Sequence, residues 1–211
     1  MYRIYSCCTK GDFILEAMLD VIIFSVFAYL LGSVSFGSIL AQMFGIGDLR
    51  SRGSKNTGAT NVLRLGGRYL GAMTLILDAA KGAIPVLLAR YYSMGSSEIA
   101  CLAFFVVFGH IFPLWYKFRG GKGIATTVGV LLAVDWRLGC LFMVIWMIGF
   151  FTSGLASLSS ISAILVTLIC SYWVFSFPIA LGYTLISVIV CYKHKGNIAR
   201  ILKKKEQRLR L

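Results

Sequence analysis

The chain has 211 residues, 58% of them hydrophobic and only 14% charged, with a formal net charge of +13. Soluble domains run nearer a quarter charged, so this composition counts against a soluble enzyme. The apolar runs are continuous rather than alternating, which counts against a β-barrel, and the bases flank those runs without forming a basic stripe with aromatic platforms, which counts against a nucleic-acid partner.

Residues 1–17 contain Asp12 and Glu16 and lack a small-residue cleavage site. They read as a dispensable N-terminal extension rather than a signal peptide, with the membrane domain over 18–211. A spanning helix needs about 20 apolar residues to cross roughly 30 Å of hydrocarbon. The first span is predicted over 19–44, followed by a polar loop over 45–68 and a second span over 69–89 that carries Asp78 and Lys81. A third span is predicted over 98–116, and KFRGGKG follows at 117–123. Two short runs, 124–134 and 138–152, flank a DWR turn. SGLASLSS at 153–160 is predicted to break the chain before runs at 161–171 and 175–192, and a basic tail closes the sequence. The expected fold is all-α: a polytopic integral membrane helical bundle of about seven transmembrane helices.

Sixteen of the 21 Lys and Arg residues lie in the loop 45–68, the loop 117–123 and the tail. Only Arg3, Lys10, Arg90 and Arg137 lie in the other connections. The positive-inside rule therefore puts both loops and the C-terminus in the cytoplasm and the N-terminus outside, with anionic headgroups as a further attraction for the bases. Cys7, Cys8, Cys101, Cys140, Cys170 and Cys191 form no C-x-x-C pair, and with only two histidines they offer no zinc set. They read as small buried hydrophobes, and no metal is expected.

Three polar segments are thus expected on one face. GSKNTGATN offers backbone N–H groups bent by Gly53 and Gly58, an anion-binding geometry, and Ser54, Asn56, Thr57, Thr60 and Asn61 can bind phosphate or hydroxyl oxygens. Arg64 can grip a phosphate bidentately. RGGKGIATT resembles a phosphate cradle in which Gly120, Gly121 and Gly123 allow close backbone approach and Lys122 supplies charge. There Thr126 and Thr127 open a helix whose N-terminus attracts anions. In YKHKGNIAR, His194 and Asn197 share a face if the helix continues. His110 reads as a packed or capping histidine, and Asp78 with Lys81 as an ion pair that fixes helix packing. Ser157 and its neighbours either allow close helix packing or line a site. The loops contain no strong general base. That suits a reaction whose electrophile arrives activated and whose substrates are anionic, so that positioning and electrostatics supply the acceleration. An anion transporter would show repeated halves or broken helices meeting mid-membrane. A non-catalytic scaffold would not need Ser54, Arg64, Lys122 and Asn197 on one face, and a CDP-alcohol phosphotransferase would need several metal-binding aspartates.

From about Met18 to Arg208 the chain resembles the bacterial acyl-phosphate:glycerol-3-phosphate acyltransferases. The resemblance rests on YLLGSVSFG with GDLRSRGSKNTGATNVLRLGG, on GHIFPLWYKFRGGKGIATTVG and on HKGNIARILKKKE, in that order. LDAAKG and SLSSI fall where the family has similar segments. The resemblance implies an inner-membrane enzyme with its site facing the cytoplasm, moving an acyl group from acyl phosphate to the 1-hydroxyl of glycerol 3-phosphate. Lysophosphatidic acid and phosphate would be the products. It implies no cofactor, no metal and no coenzyme A. The partners expected are the two substrates, membrane lipids and the soluble enzyme that makes acyl phosphate, with the chain acting as a monomer. On this reading Ser54, Arg64, Lys122, His194 and Asn197 carry the chemistry. Asn56, Thr60, Asn61, Gly120, Gly121, Gly123, Thr126 and Ser157 bind substrate or phosphate, and Glu206 is structural. The sequence departs from the family where Ser35 replaces proline, Lys55 replaces glycine, Gly154 replaces a basic residue and Gly196 replaces an acid. A substrate phosphate oxygen is the expected proton acceptor, with His194 as the competing base.

Overall fold

The computed structural model describes residues 10–209, so residues 1–9 of the predicted extension, with Cys7 and Cys8, lie outside the described residues. Every regular element among the described residues is helical. The run predicted as one span over 19–44 is one candidate span, Met18–Met43, with a break in its helix: α1 (Lys10–Ser33) ends before Val34, and α2 (Phe36–Met43) restarts after it. Ser35 leaves the helical region through its ψ of 86°, and its hydroxyl hydrogen-bonds the Ser38 hydroxyl at 3.0 Å. Across the break, the Lys81 ammonium donates to the Val34 carbonyl.

α3 (Ala59–Tyr91) begins ten residues earlier than the predicted span and turns sharply at Gly67, whose φ is 85°. A Cβ at Gly71 would lie 2.7 Å from the Leu63 Cβ. Residues eight apart in a straight helix are about 12 Å apart, so the short segment before Gly67 is folded back over the segment after it. The remaining helices are α4 (Ser96–Ile111), α5 (Ile124–Val134), α6 (Trp136–Ser153), α7 (Ala156–Val174), α8 (Phe177–Lys193) and α9 (Lys195–Leu202), with one 3-10 turn at Leu114–Tyr116. The predicted break over 153–160 shrinks to Gly154 and Leu155, and Ser157 to Ser160 form the first turn of α7. Serine does not stop this helix because its hydroxyls fold back: Ser159 donates to Leu155 O and Ser160 to Ala156 O.

Among the described residues, five spans are long and apolar enough to cross a bilayer, with Met18–Met43 counted as one, and α8 with α9, bent by 55°, makes a sixth candidate. α5, with 11 residues, reaches only about 16 Å. Among the described residues there are thus five or six candidate crossings and one shorter apolar helix, against about seven crossings predicted. Trp173 and Phe151 are 88% and 74% exposed, while Ser33, Thr74, Thr127 and Ser171 are fully buried. That inversion is expected where the surrounding solvent is hydrocarbon and helices meet through small or polar residues. Cys101 is exposed and Cys140, Cys170 and Cys191 are half-buried free thiols, a correction to the buried reading: the apolar runs that hold them face outward as well as inward.

Close contacts set the depth of α5. A Cβ on Gly82 would lie 2.2 Å from Thr126 O, and one on Gly129 would lie 1.9 Å from Ala79 O, so α3 and α5 touch backbone to backbone. Arg90 donates to Ala133 O and Val134 O, pinning the far ends of the same two helices together. The N-terminus of α5 is therefore recessed within the bundle.

Candidate active site

The loop between α2 and α3 is organised by one side chain. Asn61 is 1% exposed; its amide nitrogen donates to Leu49 O, Arg52 O and Asn56 O, and its Oδ1 accepts from Ser54 N at 2.8 Å. Expected to bind substrate, Asn61 has its amide committed to shaping the loop, and it holds the exposed Ser54 in place. Asn56 Oδ1 accepts from Gly58 N at 2.9 Å, closing the turn before α3. Lys55 sits at φ 58°, the left-handed region that glycine adopts freely and lysine adopts at a cost of about 1–2 kcal/mol. Glycine would adopt the same conformation without that cost.

The glycine-rich segment differs from its predicted form. Gly120 N donates to Ile111 O and Gly121 N to His110 O, so both amides are used to satisfy the C-terminal carbonyls of α4 rather than to receive a phosphate. A Cβ on Gly121 would lie 2.1 Å from His110 Nε2, which explains glycine there by packing. The free donors lie one step later. Among the described residues, the backbone N–H groups of 122–125 make no hydrogen bond, and α5 has no side-chain cap. These orphan donors and the helix dipole make this terminus attractive to an anion. Lys122 stands at that terminus with no side-chain hydrogen bond or ion pair among the described residues. Burial pushes its ammonium down to about 8; Arg200 and Arg64 reinforce the shift and Glu206 opposes it.

The tail supplies the third wall. His194, just past the end of α8, is 1% exposed, and its Nδ1 lies 2.8 Å from Val190 O. A carbonyl can only accept, so Nδ1 carries the hydrogen and Nε2 is left as an acceptor. Burial pushes the imidazole down to about 4, helped by the Lys122 charge. Helix continuation fails at His194, where the chain bends, yet Asn197 still reaches the site from α9. Glu206 Oε1 accepts from Ser157 Oγ and Asn197 Nδ2, and Oε2 accepts from Arg200 Nε at 2.7 Å. Burial alone would raise the Glu206 carboxyl, but these three hydrogen bonds outweigh it and hold it below its usual range.

These walls enclose a cavity of about 740 Å³. Ser54, Asn56, Thr60, Asn61, Arg64, Lys122, Gly123, Ser157, His194 and Asn197 all line it, so ten of the thirteen predicted site residues converge. Gly121 and Thr126 do not line it, and Gly120 lines only a second, basic cavity that shares Ser54, Lys122 and Asn197 with the first. The Thr126 hydroxyl is fully buried and has no hydrogen-bond partner among the described residues. Away from the polar end the lining turns apolar, with Leu75, Ile76, Leu132, Met143, Trp146 and Met147 from α3, α5 and α6. Arg200 and Glu206 were not predicted to line it; the signal available for Arg200 was its i, i+3 spacing from Asn197. At the floor, Lys81 Nζ lies 2.8 Å from Asp78 Oδ1, the predicted pair, and His110 Nδ1 lies 3.7 Å from the same oxygen. Among the described residues no three His, Cys, Asp or Glu side chains are grouped to hold a metal ion.

The family described as glycerol-3-phosphate acyltransferase matches residues 22–204. A glycerol-3-phosphate acyltransferase of Mesorhizobium japonicum is 44% identical over 177 residues, covering 84% of this chain and 90% of its relative. One from Francisella tularensis subsp. holarctica is 40% identical over 187 residues, covering 87% and 90%. The crystal structure of PlsY (YgiH), an integral membrane glycerol 3-phosphate acyltransferase, in its glycerol 3-phosphate form matches with a TM-score of 0.87 at 34% identity, over 90% of this chain and 96% of that one. Its lysophosphatidic acid form matches with a TM-score of 0.84 at 32% identity, with the same coverage. With sequence agreement across most of its length and the same helical architecture, this integral membrane protein belongs to the glycerol-3-phosphate acyltransferase family.

Proposed function

We propose that the chain transfers a fatty acyl group from acyl phosphate to the 1-hydroxyl of glycerol 3-phosphate at the cytoplasmic face of the inner membrane. The observation that carries this reading is that Arg64 and Lys122, which make no side-chain hydrogen bond or ion pair among the described residues, share one cavity with an apolar channel. Both substrates are phosphate monoanions or dianions, and one bears a chain that must leave water.

Lys122 and the free N–H groups of residues 122–125 hold the phosphate of the donor. The acyl chain lies along the apolar lining, where each buried methylene contributes about 0.8 kcal/mol. Arg64, with Ser54, Asn56 and Thr60, holds the phosphate of glycerol 3-phosphate, and His194 and Asn197 orient its glycerol end. The substrate hydroxyl oxygen attacks the acyl carbonyl carbon and forms the ester bond. The bond from that carbon to the phosphate oxygen breaks, and phosphate leaves with the electron pair. The hydroxyl proton ends on a phosphate oxygen. Lysophosphatidic acid and inorganic phosphate are released. The two cations act by electrostatic stabilisation as negative charge shifts to the leaving group. Sixteen Lys and Arg on the loops and tail favour the cytoplasmic side for this face, where a soluble enzyme that makes acyl phosphate would deliver the donor to a monomeric acceptor.

The purified protein in lipid nanodiscs, given acyl phosphate and glycerol 3-phosphate, is expected to release one phosphate per lysophosphatidic acid formed. Acyl-coenzyme A in place of acyl phosphate is expected to give no product. Product from acyl-coenzyme A alone would overturn the donor assignment.

A further inference from the structure

Helix α9 has two faces with different surroundings. On the inner face Asn197 is buried at 6% exposure, and its amide reaches Glu206. On the outer face Lys195, Ile198 and Leu202 follow one another at helical spacing, just after Tyr192 in the last turn of α8, and Leu202 is 78% exposed. Lys195 Nζ lies 4.3 Å from the Tyr192 ring centroid and donates to its hydroxyl at 3.1 Å. From residue 192 to 205 the chain has six Lys or Arg and no acid. α8 is apolar until Lys193, and the chain then bends by 55° into α9. The outer face therefore starts where the apolar helix ends. Tyrosine and lysine flank the boundary, and an apolar residue sits among bases, the pattern of a helix lying in the membrane interface.

We propose that the outer face of α9 docks on anionic phospholipid headgroups and that this contact holds Asn197 and Arg200 in the site. Lysine ammonium groups take the phosphates of the headgroups, and Leu202 and Ile198 enter the acyl boundary. Because Asn197 and Arg200 share the carboxylate of Glu206, an α9 lifted from the surface pulls on the donors that fix the cavity wall. The occupant is anionic lipid because the face carries only positive charge. The consequence is an enzyme whose turnover follows the anionic lipid content of its own membrane.

The test uses the full chain in nanodiscs of phosphatidylcholine with or without phosphatidylglycerol. The first readout, amide hydrogen exchange over 195–202, needs no turnover and so is independent of the acyl-transfer reading. Exchange is expected to slow by about fivefold or more with phosphatidylglycerol, the effect of one lysine's attraction to an anionic surface. The triple variant Lys195→Gln, Lys203→Gln, Lys204→Gln is expected to lose that slowing, as is Leu202→Asp. Turnover of the unaltered chain is expected to rise alongside, and that of the variants to stay at its phosphatidylcholine level. Equal exchange in both lipids overturns the proposal. So does slowing that survives in the triple variant, or slowing without any change in turnover. Protection that instead grows with the protein-to-lipid ratio in phosphatidylcholine assigns the face to a second copy and overturns it too.

Discussion

Ser157 on α7 and Asn197 on α9 donate to the same oxygen, Oε1 of Glu206, although they stand 40 positions apart in the chain. The carboxylate also receives Arg200 through its other oxygen. One acid in a strongly basic tail thus draws two helices and a segment after α9 together around a cavity. It does so from a position the sequence marks only as a late glutamate.

Replacing Glu206 with alanine leaves Asn197 and Ser157 without an acceptor. The expected loss is about 1–3 kcal/mol in stability, read by thermal unfolding in detergent, since partly buried donors lose their partner. kcat/KM is expected to fall at least about tenfold, or ~1.4 kcal/mol. The carboxyl sits below its usual range in the folded chain, so its contribution is present at neutral pH and is lost as pH falls through that lowered value.

Gly67 gives a cleaner backbone test. Its φ of 85° turns the helical segment bearing Thr60, Asn61 and Arg64 back over the bundle, and a Cβ there would meet nothing within 4 Å. Gly67→Ala should therefore cost about 1–3 kcal/mol through backbone conformation alone, because φ 85° with ψ −179° is a region that essentially only glycine enters. Because the strain is relieved by relaxing the turn, Arg64 moves. KM for glycerol 3-phosphate is expected to rise more than kcat falls. Gly67→Asn should fare no better than alanine, because φ 85° with ψ −179° is a conformation that essentially only glycine adopts. An unchanged KM in the alanine variant would mean that the turn does not place Arg64.

The apolar helices and the three polar segments were legible because hydropathy and charge are local signals. The meeting of Ser54, Lys122 and His194 in one cavity was anticipated from the clustering of Lys and Arg in three segments. What escaped was everything decided by contacts distant in sequence. Nothing in GGKG says that Gly120 and Gly121 spend their amides on α4, which moves the anion donors to residues 122–125. Nothing in NTGATN says that Asn61 faces three carbonyls of its own loop. The break at Val34 was hidden because its flanks are apolar, while Lys81, 47 residues away, takes the carbonyl there.

Lys122 sets a pH dependence of opposite sign for activity and stability. Its ammonium is charged below about 8, so kcat/KM for the donor should fall as pH rises through about 8. A bound phosphate stabilises the charge, so the corresponding limb in kcat should lie at higher pH. For stability, the folded value lies below the ordinary 10.5, which means the fold disfavours the charge. Stability should then rise between about pH 8 and 10.5. Lys122→Met removes a cost on the order of 3 kcal/mol at pH 7. It is expected to melt higher than the unaltered chain while losing turnover. A Lys122→Met protein that melts lower would show that the ammonium is not penalised by its surroundings.

His194 separates the two candidate proton acceptors. With Nδ1–H given to Val190 O and the ring pushed down to about 4, the imidazole is neutral at pH 7 and offers Nε2 only as a weakly basic acceptor. A base that weak matches the hydroxyl proton poorly, whereas a phosphate oxygen with a second pKa of about 6 matches it better. Glutamine can accept the same hydrogen bond without taking the proton. His194→Gln should therefore keep turnover within about tenfold, and His194→Ala should lose more. A loss of about 10²–10⁴ in the glutamine variant would instead mark His194 as the base. Stability adds an independent check. The folded pKa lies below the ordinary 6.5, so the unfolded chain binds the proton first, and stability should decline as pH falls from about 6.5 toward 4. Glutamine does not titrate, so the same substitution should flatten that decline, because the penalty belongs to charging a ring that the fold keeps neutral.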